Sequence, residues 1–271
     1  MPAPMTRFEA LRHRTVELAG MAALGVAVCT CPAQAQNSTK DKTQPAAKDT
    51  AHDTEQGPLA KELAALSAQF AEKADPEMLK TFTEAIDRLA ESGILENVKA
   101  KGDKAPEFEL TDANGNTVSF KELLAEGPVV LTFYRGGWCP YCNIQLRAYQ
   151  DNLDEIQALG ASLVAITPEM PDNSLETSEK NKLGFTVLSD PGNKVADMFG
   201  LRYEIDPVLA ERFGPMLEGY NGDDSHTLPL TATYVVNTDG TIKFSYVTAD
   251  YKLRAEPSDV LKALKHVKMG H

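Results

Sequence analysis

At 271 residues, 42% hydrophobic and 24% charged, the chain has the length and apolar content of one α/β domain with appendages, which excludes collagen-like, wholly disordered and tandem-array classes. Lys and Arg number 27 against 39 Asp and Glu, a net charge of −12 that repels a phosphate backbone, so no nucleic-acid partner is expected.

Arg7, Arg12, His13 and Arg14 precede an apolar stretch over residues 18–28 and then Ala33-Gln34-Ala35, which is the layout of a signal peptide cleaved after residue 35. The expectation is an exported, periplasmic protein. The apolar run is about half of the ~20 residues that span a bilayer, so no stable membrane insertion is expected. Cleavage would remove Cys29 and Cys31 and leave Cys139 and Cys142. Residues 36–57 hold no aromatic, Val, Ile, Leu or Met and read as a disordered linker.

Residues 58–100 read as a helical extension. Leu59, Leu63, Leu66 and Phe70 form one helical stripe, and Leu79, Phe82, Ile86 and Leu89 a second, with Asp75 as cap, Pro76 at the first position and Gly93 as stop. Each stripe needs a surface, either the main domain or a second copy, so a homodimer is among the expectations. Residues 101–271 read as one domain. Its predicted elements are a hairpin over 107–120 around Asn114-Gly115, a buried strand over 128–134 and one helical face from Leu146 to Leu159 closed by Gly160. Strands at 163–167 and 186–189 alternate with helices at 171–183 and 194–199. Residues 201–230 show no clear period and read as a long irregular insertion. A second hairpin over 233–248 and a helix over 258–268 close the chain. This order describes an α/β fold, a central mixed sheet with helices on both faces.

Chemistry concentrates in Tyr134-Arg-Gly-Gly-Trp-Cys-Pro-Tyr-Cys142, between a buried strand and a helix start. Free N–H groups and the helix dipole favour an anion there, so a thiol loses its proton more easily, and a second thiol one turn on can resolve what the first attacks. Zinc wants four ligands, and no second cysteine pair follows, so no metal is expected and no cofactor is implied. A structural disulfide of this spacing would close too small a loop to constrain the unfolded chain. His226 is either a proton donor to the thiols or merely hydrated, and Asp223 and Asp224 either bind a cation, cap a helix or are solvated.

Gly102-Asp-Lys-Ala-Pro-Glu-Phe108, Val130-Leu-Thr-Phe-Tyr134 leading to the cysteines, and Ala232-Thr-Tyr-Val-Val-Asn-Thr-Asp-Gly240 resemble the peroxiredoxin (AhpC/TSA, redoxin) branch of the thioredoxin superfamily. Arg135-Gly-Gly-Trp-Cys-Pro-Tyr-Cys142, Asn221-Gly-Asp-Asp224 and Asp250-Tyr-Lys-Leu-Arg-Ala-Glu-Pro257 resemble the members that carry a CxxC. The resemblance implies a thioredoxin-like fold and a thiol-dependent peroxidase. It would take a hydroperoxide as substrate and an external dithiol, a thioredoxin-like protein or small thiol, as reductant. In the peroxiredoxin alignment Arg135 stands at the family's proline, Cys139 at its threonine, Cys142 at the peroxidatic cysteine, Gln145 at a polar partner and Thr231 at its distant arginine. Arg135 is then a candidate replacement for the missing charge. Trp138-Cys139-x-x-Cys142 is also similar to the tryptophan-first motif of thioredoxins, in which the first cysteine attacks, with Trp138 as a lid. The expected assignment is Cys142 attacking and Cys139 resolving. A thiol:disulfide oxidoreductase acting on protein disulfides and a non-catalytic binding module are the alternatives.

Overall fold

Asp75 accepts the N–H of Glu77 at 2.9 Å and starts one of two amphipathic helices that open the described chain, residues 57–270 of the computed structural model. These are α1 (Pro58–Lys73) and α2 (Pro76–Glu91). The expectations for residues 1–56 lie outside the described residues. A hairpin of β1 (Glu109–Asp112) and β2 (Thr117–Ser119) leads into α3 (Phe120–Glu126), then β3 (Val129–Phe133), α4 (Pro140–Asp151), α5 (Leu153–Ala158) and β4 (Ser162–Thr167). The chain continues through α6 (Pro171–Asn181), β5 (Thr186–Ser189), α7 (Lys194–Met198), β6 (Arg202–Glu204), α8 (Pro207–Asn221) and β7 (Thr227–Pro229). It ends with β8 (Thr231–Val236), β9 (Ile242–Thr248) and α9 (Pro257–Lys268).

Seven strands form one sheet in the order β2-β1-β5-β4-β3-β8-β9. β3, wholly buried as its apolar run requires, pairs parallel with β4 and antiparallel with β8, and β4 pairs parallel with β5. Alternation along the strand sends Val130 and Tyr134 into one core, under α1, α4 and α9, and Val129, Leu131 and Phe133 into the other, with Phe120 and Phe199. Among the described residues no helix is long and apolar enough to cross a membrane.

Three sequence expectations are corrected. The helical face from Leu146 to Leu159 is two helices, because Asn152 leaves helical geometry at φ −108° and its amide donates back to Ala148 O. Phe120, expected to end a strand, instead opens α3, which runs to Glu126. Residues 201–230 are not irregular: they hold β6, α8 and β7, and β6 pairs with β7 in a separate ribbon. Asp206 caps α8 by accepting the N–H of Val208 at 3.0 Å, Pro207 occupies its first turn and Gly222 ends it at φ +75°. Pro215 and two glycines inside α8 blur its period, yet Leu209, Phe213 and Leu217 still recur at four-residue steps.

α1, α2 and α8 meet over the end of β3. Phe82 of α2 lies 6.2 Å from Phe70 of α1, 5.8 Å from Phe213 of α8 and 6.3 Å from Tyr251, ring centre to ring centre. α1 is fixed at its other end, where Glu256 accepts the N–H groups of Leu59 at 3.4 Å and Ala60 at 2.7 Å.

Candidate active site

β3 hands the chain to α4 through a turn that only glycine allows. Gly136 sits at φ +148°, and a Cβ there would run into the Trp138 indole and come within 3.0 Å of Glu169 Oε1; a Cβ on Gly137 would strike the Thr177 hydroxyl. Cys139 then caps α4, with Pro140 behind it, and Cys142 falls in the first turn, where the dipole favours negative charge. Asn143 Nδ2 locks the turn, donating to Gly137 O at 2.7 Å and Cys139 O at 3.1 Å, and its Oδ1 accepts from Asn181 at 2.7 Å.

Both cysteines are free thiols, 2% and 0% exposed, and they hydrogen-bond to each other. Residues of α1, α2 and α8 wall the cavity that Cys139 lines. Arg254 Nη2 donates to Cys142 Sγ at 3.3 Å, while its Nη1 is anchored on the carbonyls of Tyr251 and Leu253. Burial pushes the Cys142 thiol up. The hydrogen bond from Cys139, the Arg254 charge and the backbone N–H and charge of Arg135 outweigh it and hold Cys142 well below the ordinary thiol range. Cys139 moves the other way: as donor to Cys142, and buried, it is held well above that range despite the two arginines.

Arg135 is not a solvated surface arginine. Its guanidinium lies 5.1 Å from the centre of the Trp138 ring and 4.4 Å from that of Tyr251, and its Nε is buried without a hydrogen-bond partner. Burial opposes its charge, but Tyr203, Cys139 and Cys142 keep it protonated beyond the usual range. It borders an apolar cavity of about 160 Å³ that reaches Cys139 and is walled by Phe70, Phe82, Phe213, Trp138 and Tyr251.

Cys139, Cys142, Arg135 and Trp138 thus converge. Gln145 turns instead to the sheet, where its amide donates to Thr132 Oγ1 at 3.2 Å and Thr233 Oγ1 at 3.4 Å. Thr231 opens β8, buried, with its hydroxyl unpartnered; the charge the family alignment seeks there comes from Arg254. His226 pairs with Glu218 at 2.9 Å, and Asp223 accepts from Ser225 N and Oγ at 2.9 and 2.6 Å, a turn rather than a cation site.

Two residues escaped the sequence reading. Arg254 stood inside the quoted 250–257 motif, but its 112-residue separation from Cys142 hid the contact. Glu169 follows β4, fully buried; its Oε1 accepts the Gly137 N–H at 2.9 Å and its Oε2 accepts from Thr167 Oγ1 at 3.5 Å. Burial, and the charges of Cys142 and Glu176, outweigh these hydrogen bonds and push its carboxyl up to about 7. An acid directly after an apolar strand was the available signal.

A buried thiol pair at the end of a central strand, in a mixed sheet with helices on both faces, is the arrangement of a thioredoxin-like fold. The AhpC/TSA family model matches residues 101–245, more than half of the chain, and the chain belongs to that family. It is 32% identical over 159 residues to the chloroplastic peroxiredoxin Q of Triticum aestivum (59% of this chain, 64% of that protein). To the chloroplastic peroxiredoxin Q of Sedum lineare it is 30% identical over 168 residues (62% and 79%). The match therefore spans less than two thirds of the wheat protein's own length. The crystal structure of peroxidoxin BcpB from Mycobacterium tuberculosis shares the fold, with a TM-score of 0.51 and 24% identity over 62% of this chain and 97% of that one. The chloroplastic relatives overturn the periplasmic location expected from residues 1–35, which a basic and apolar N-terminal composition is insufficient to assign.

Proposed function

We propose that the protein is a thiol-dependent peroxidase that reduces hydroperoxides through a Cys139/Cys142 dithiol–disulfide cycle. One observation carries the reading: Cys142 Sγ accepts from Arg254 Nη2 at 3.3 Å and from Cys139, the environment of a thiolate. Cys142 attacks the peroxide O–O bond and becomes a sulfenic acid with loss of an alkoxide or hydroxide. Cys139, one helical turn away, displaces water from that sulfenic acid and closes the disulfide. Arg135 and Trp138 border the entry cavity, and the Arg135 charge favours the developing oxyanion. Gln145, bonded to Thr132 and Thr233, and Thr231, with an unpartnered hydroxyl, are given no step in the cycle. An external dithiol, thioredoxin-like or small, restores the thiols.

The charge of Arg254 on Cys142 and an apolar cavity at Cys139 that admits a small hydroperoxide favour the peroxidase over the oxidoreductase alternative. A homodimer belongs to the reading, with its contact away from Leu59 and Leu63, which α1 spends on its own domain.

Trapping tests the assignment. With peroxide and a sulfenic-acid probe, Cys139→Ser should label at Cys142, Cys142→Ser should stay unlabelled, and the wild-type protein should consume peroxide far faster than it reduces a model protein disulfide. Labelling confined to Cys142→Ser would reverse the two roles.

A further inference from the structure

The cycle proposed above leaves unused a buried acid that is bonded to the turn of the thiols. Glu169 is fully buried against residues 136–137, and it holds the turn that carries both cysteines through the Gly137 N–H. The groups that face it are Tyr134 at the end of β3, Cys142 on α4, Glu176 on α6 and the Thr167 hydroxyl of β4. Tyr134 is itself held protonated, pushed well above its usual range by burial and by Glu169. A carboxylate with these neighbours and a thiolate nearby repels that thiolate, whereas a carboxylic acid does not.

We propose that Glu169 is a positioning residue that carries a proton while the thiols are reduced and gives it up when the disulfide forms. The inference rests on the thiolate assignment of the proposed cycle. Its chemistry balances: ROOH, the Cys142 thiolate, the Cys139 thiol and the Glu169 carboxylic acid become ROH, water, the Cys139–Cys142 disulfide and the Glu169 carboxylate. The O–O and S–H bonds break, the S–S bond forms, the peroxide takes two electrons from the sulfurs, and the proton that the departing alkoxide needs is the one Glu169 releases. The ionised carboxylate then accepts the Gly137 N–H more strongly and holds the turn in the oxidised state. Reduction by a dithiol returns one proton to Cys139 and one to Glu169.

The proton count is measurable. Reduced dithiothreitol brings two protons, so reduction that leaves one on Cys139 and one on Glu169 releases none, whereas reduction that leaves Cys142 as a thiolate without a second acceptor releases one. In the wild-type protein the exchange constant with dithiothreitol should run flat over a segment near pH 6–7. In Glu169→Gln it should rise about tenfold per pH unit across that segment, as one released proton demands. Indicator-dye counting on the wild-type protein alone gives the second readout: no proton per disulfide inside the segment and nearly one at pH 8, where Glu169 is ionised in both states and dithiothreitol still carries almost both of its protons. Parallel profiles for the two proteins, flat or rising, would overturn the inference, as would one released proton at every pH in the wild type. A wild-type protein that forms no disulfide with peroxide would overturn the cycle itself, a separate result.

Discussion

The attacking sulfur depends on a charge that the chain supplies from 112 residues away. A hydrogen bond to a charged group is worth about 1.5–3 kcal/mol, and 1.36 kcal/mol corresponds to one pH unit of titration. Arg254→Gln should therefore raise the midpoint of Cys142 alkylation by about one to two pH units and slow peroxide reduction at neutral pH, while Arg254→Lys recovers part of the loss. Iodoacetamide rates against pH in a Cys139→Ser background check this; an unmoved midpoint would leave Arg254 with packing alone. How much of the site the sequence reveals follows from the same geometry. Cys139, Cys142, Arg135 and Trp138 were legible because eight consecutive residues place them together on one turn. Arg254 and Glu169 were not, because each reaches the turn from another element, and contact across elements leaves no trace in spacing. Gln145 was read from helical offset alone, and its rotation toward Thr132 and Thr233 is decided by the hydroxyls of β3 and β8.

Among the elements, α1 is one of three helices that close the site, and one side chain anchors its start. Glu256 accepts two first-turn N–H groups of α1, groups that a helix of any sequence leaves unpaired, and Ser67 further along reaches the Tyr141 hydroxyl at 3.1 Å beside Cys139. Glu256→Ala should cost roughly 1–3 kcal/mol by leaving those donors buried without a partner. It should also loosen α1, so Cys139 alkylation by a bulky maleimide accelerates several-fold. Glu256→Gln keeps an acceptor and should change both quantities far less; urea unfolding and labelling rates measure them. Elements were legible where capping and period agree, as in α2 with Asp75, Pro76 and four spaced apolar residues. They were illegible where they disagree: α8 carries the same Asp-Pro start at Asp206-Pro207, but Pro215 within it argued for a break that tertiary packing of Leu217 and Phe213 overrides. The parallel pairing of β3 with β4 was implied by the helix between them, whereas the antiparallel seat of β1 beside β5 has no local signature.

At the scale of the whole molecule, two buried ionisations of opposite sense share one fold, and they set how its stability depends on pH. Glu169 titrates at about 7 in the folded protein, above the ~4.3 of a free glutamate, so its contribution is fully present below the unfolded value and is lost as pH rises through 7. Integrated over that gap the loss is roughly 4 kcal/mol. Asp190, also raised by burial, acts in the same direction. Cys142 is lowered, so the stability it adds is present above the ~8.5 of a free thiol and is lost as pH falls through its folded value. Asp112 and Asp239, both lowered, titrate beneath this range and leave it undisturbed above pH 5. Below pH 7, over the range in which folded Cys142 stays ionised, the two slopes oppose each other in the reduced protein, at up to about 1.4 kcal/mol per pH unit each. Reduced wild-type protein should accordingly show nearly constant unfolding free energy over this window. Glu169→Gln should gain stability steadily as pH rises, because only the thiolate linkage remains, and Cys142→Ser should lose it, because only the carboxyl linkage remains. Urea unfolding of the three proteins at pH 5, 6 and 7 under reducing conditions decides the matter. Glu169→Gln and wild type running parallel would mean that Glu169 ionises as readily inside the protein as in water, against its complete burial beneath the turn that carries the two cysteines.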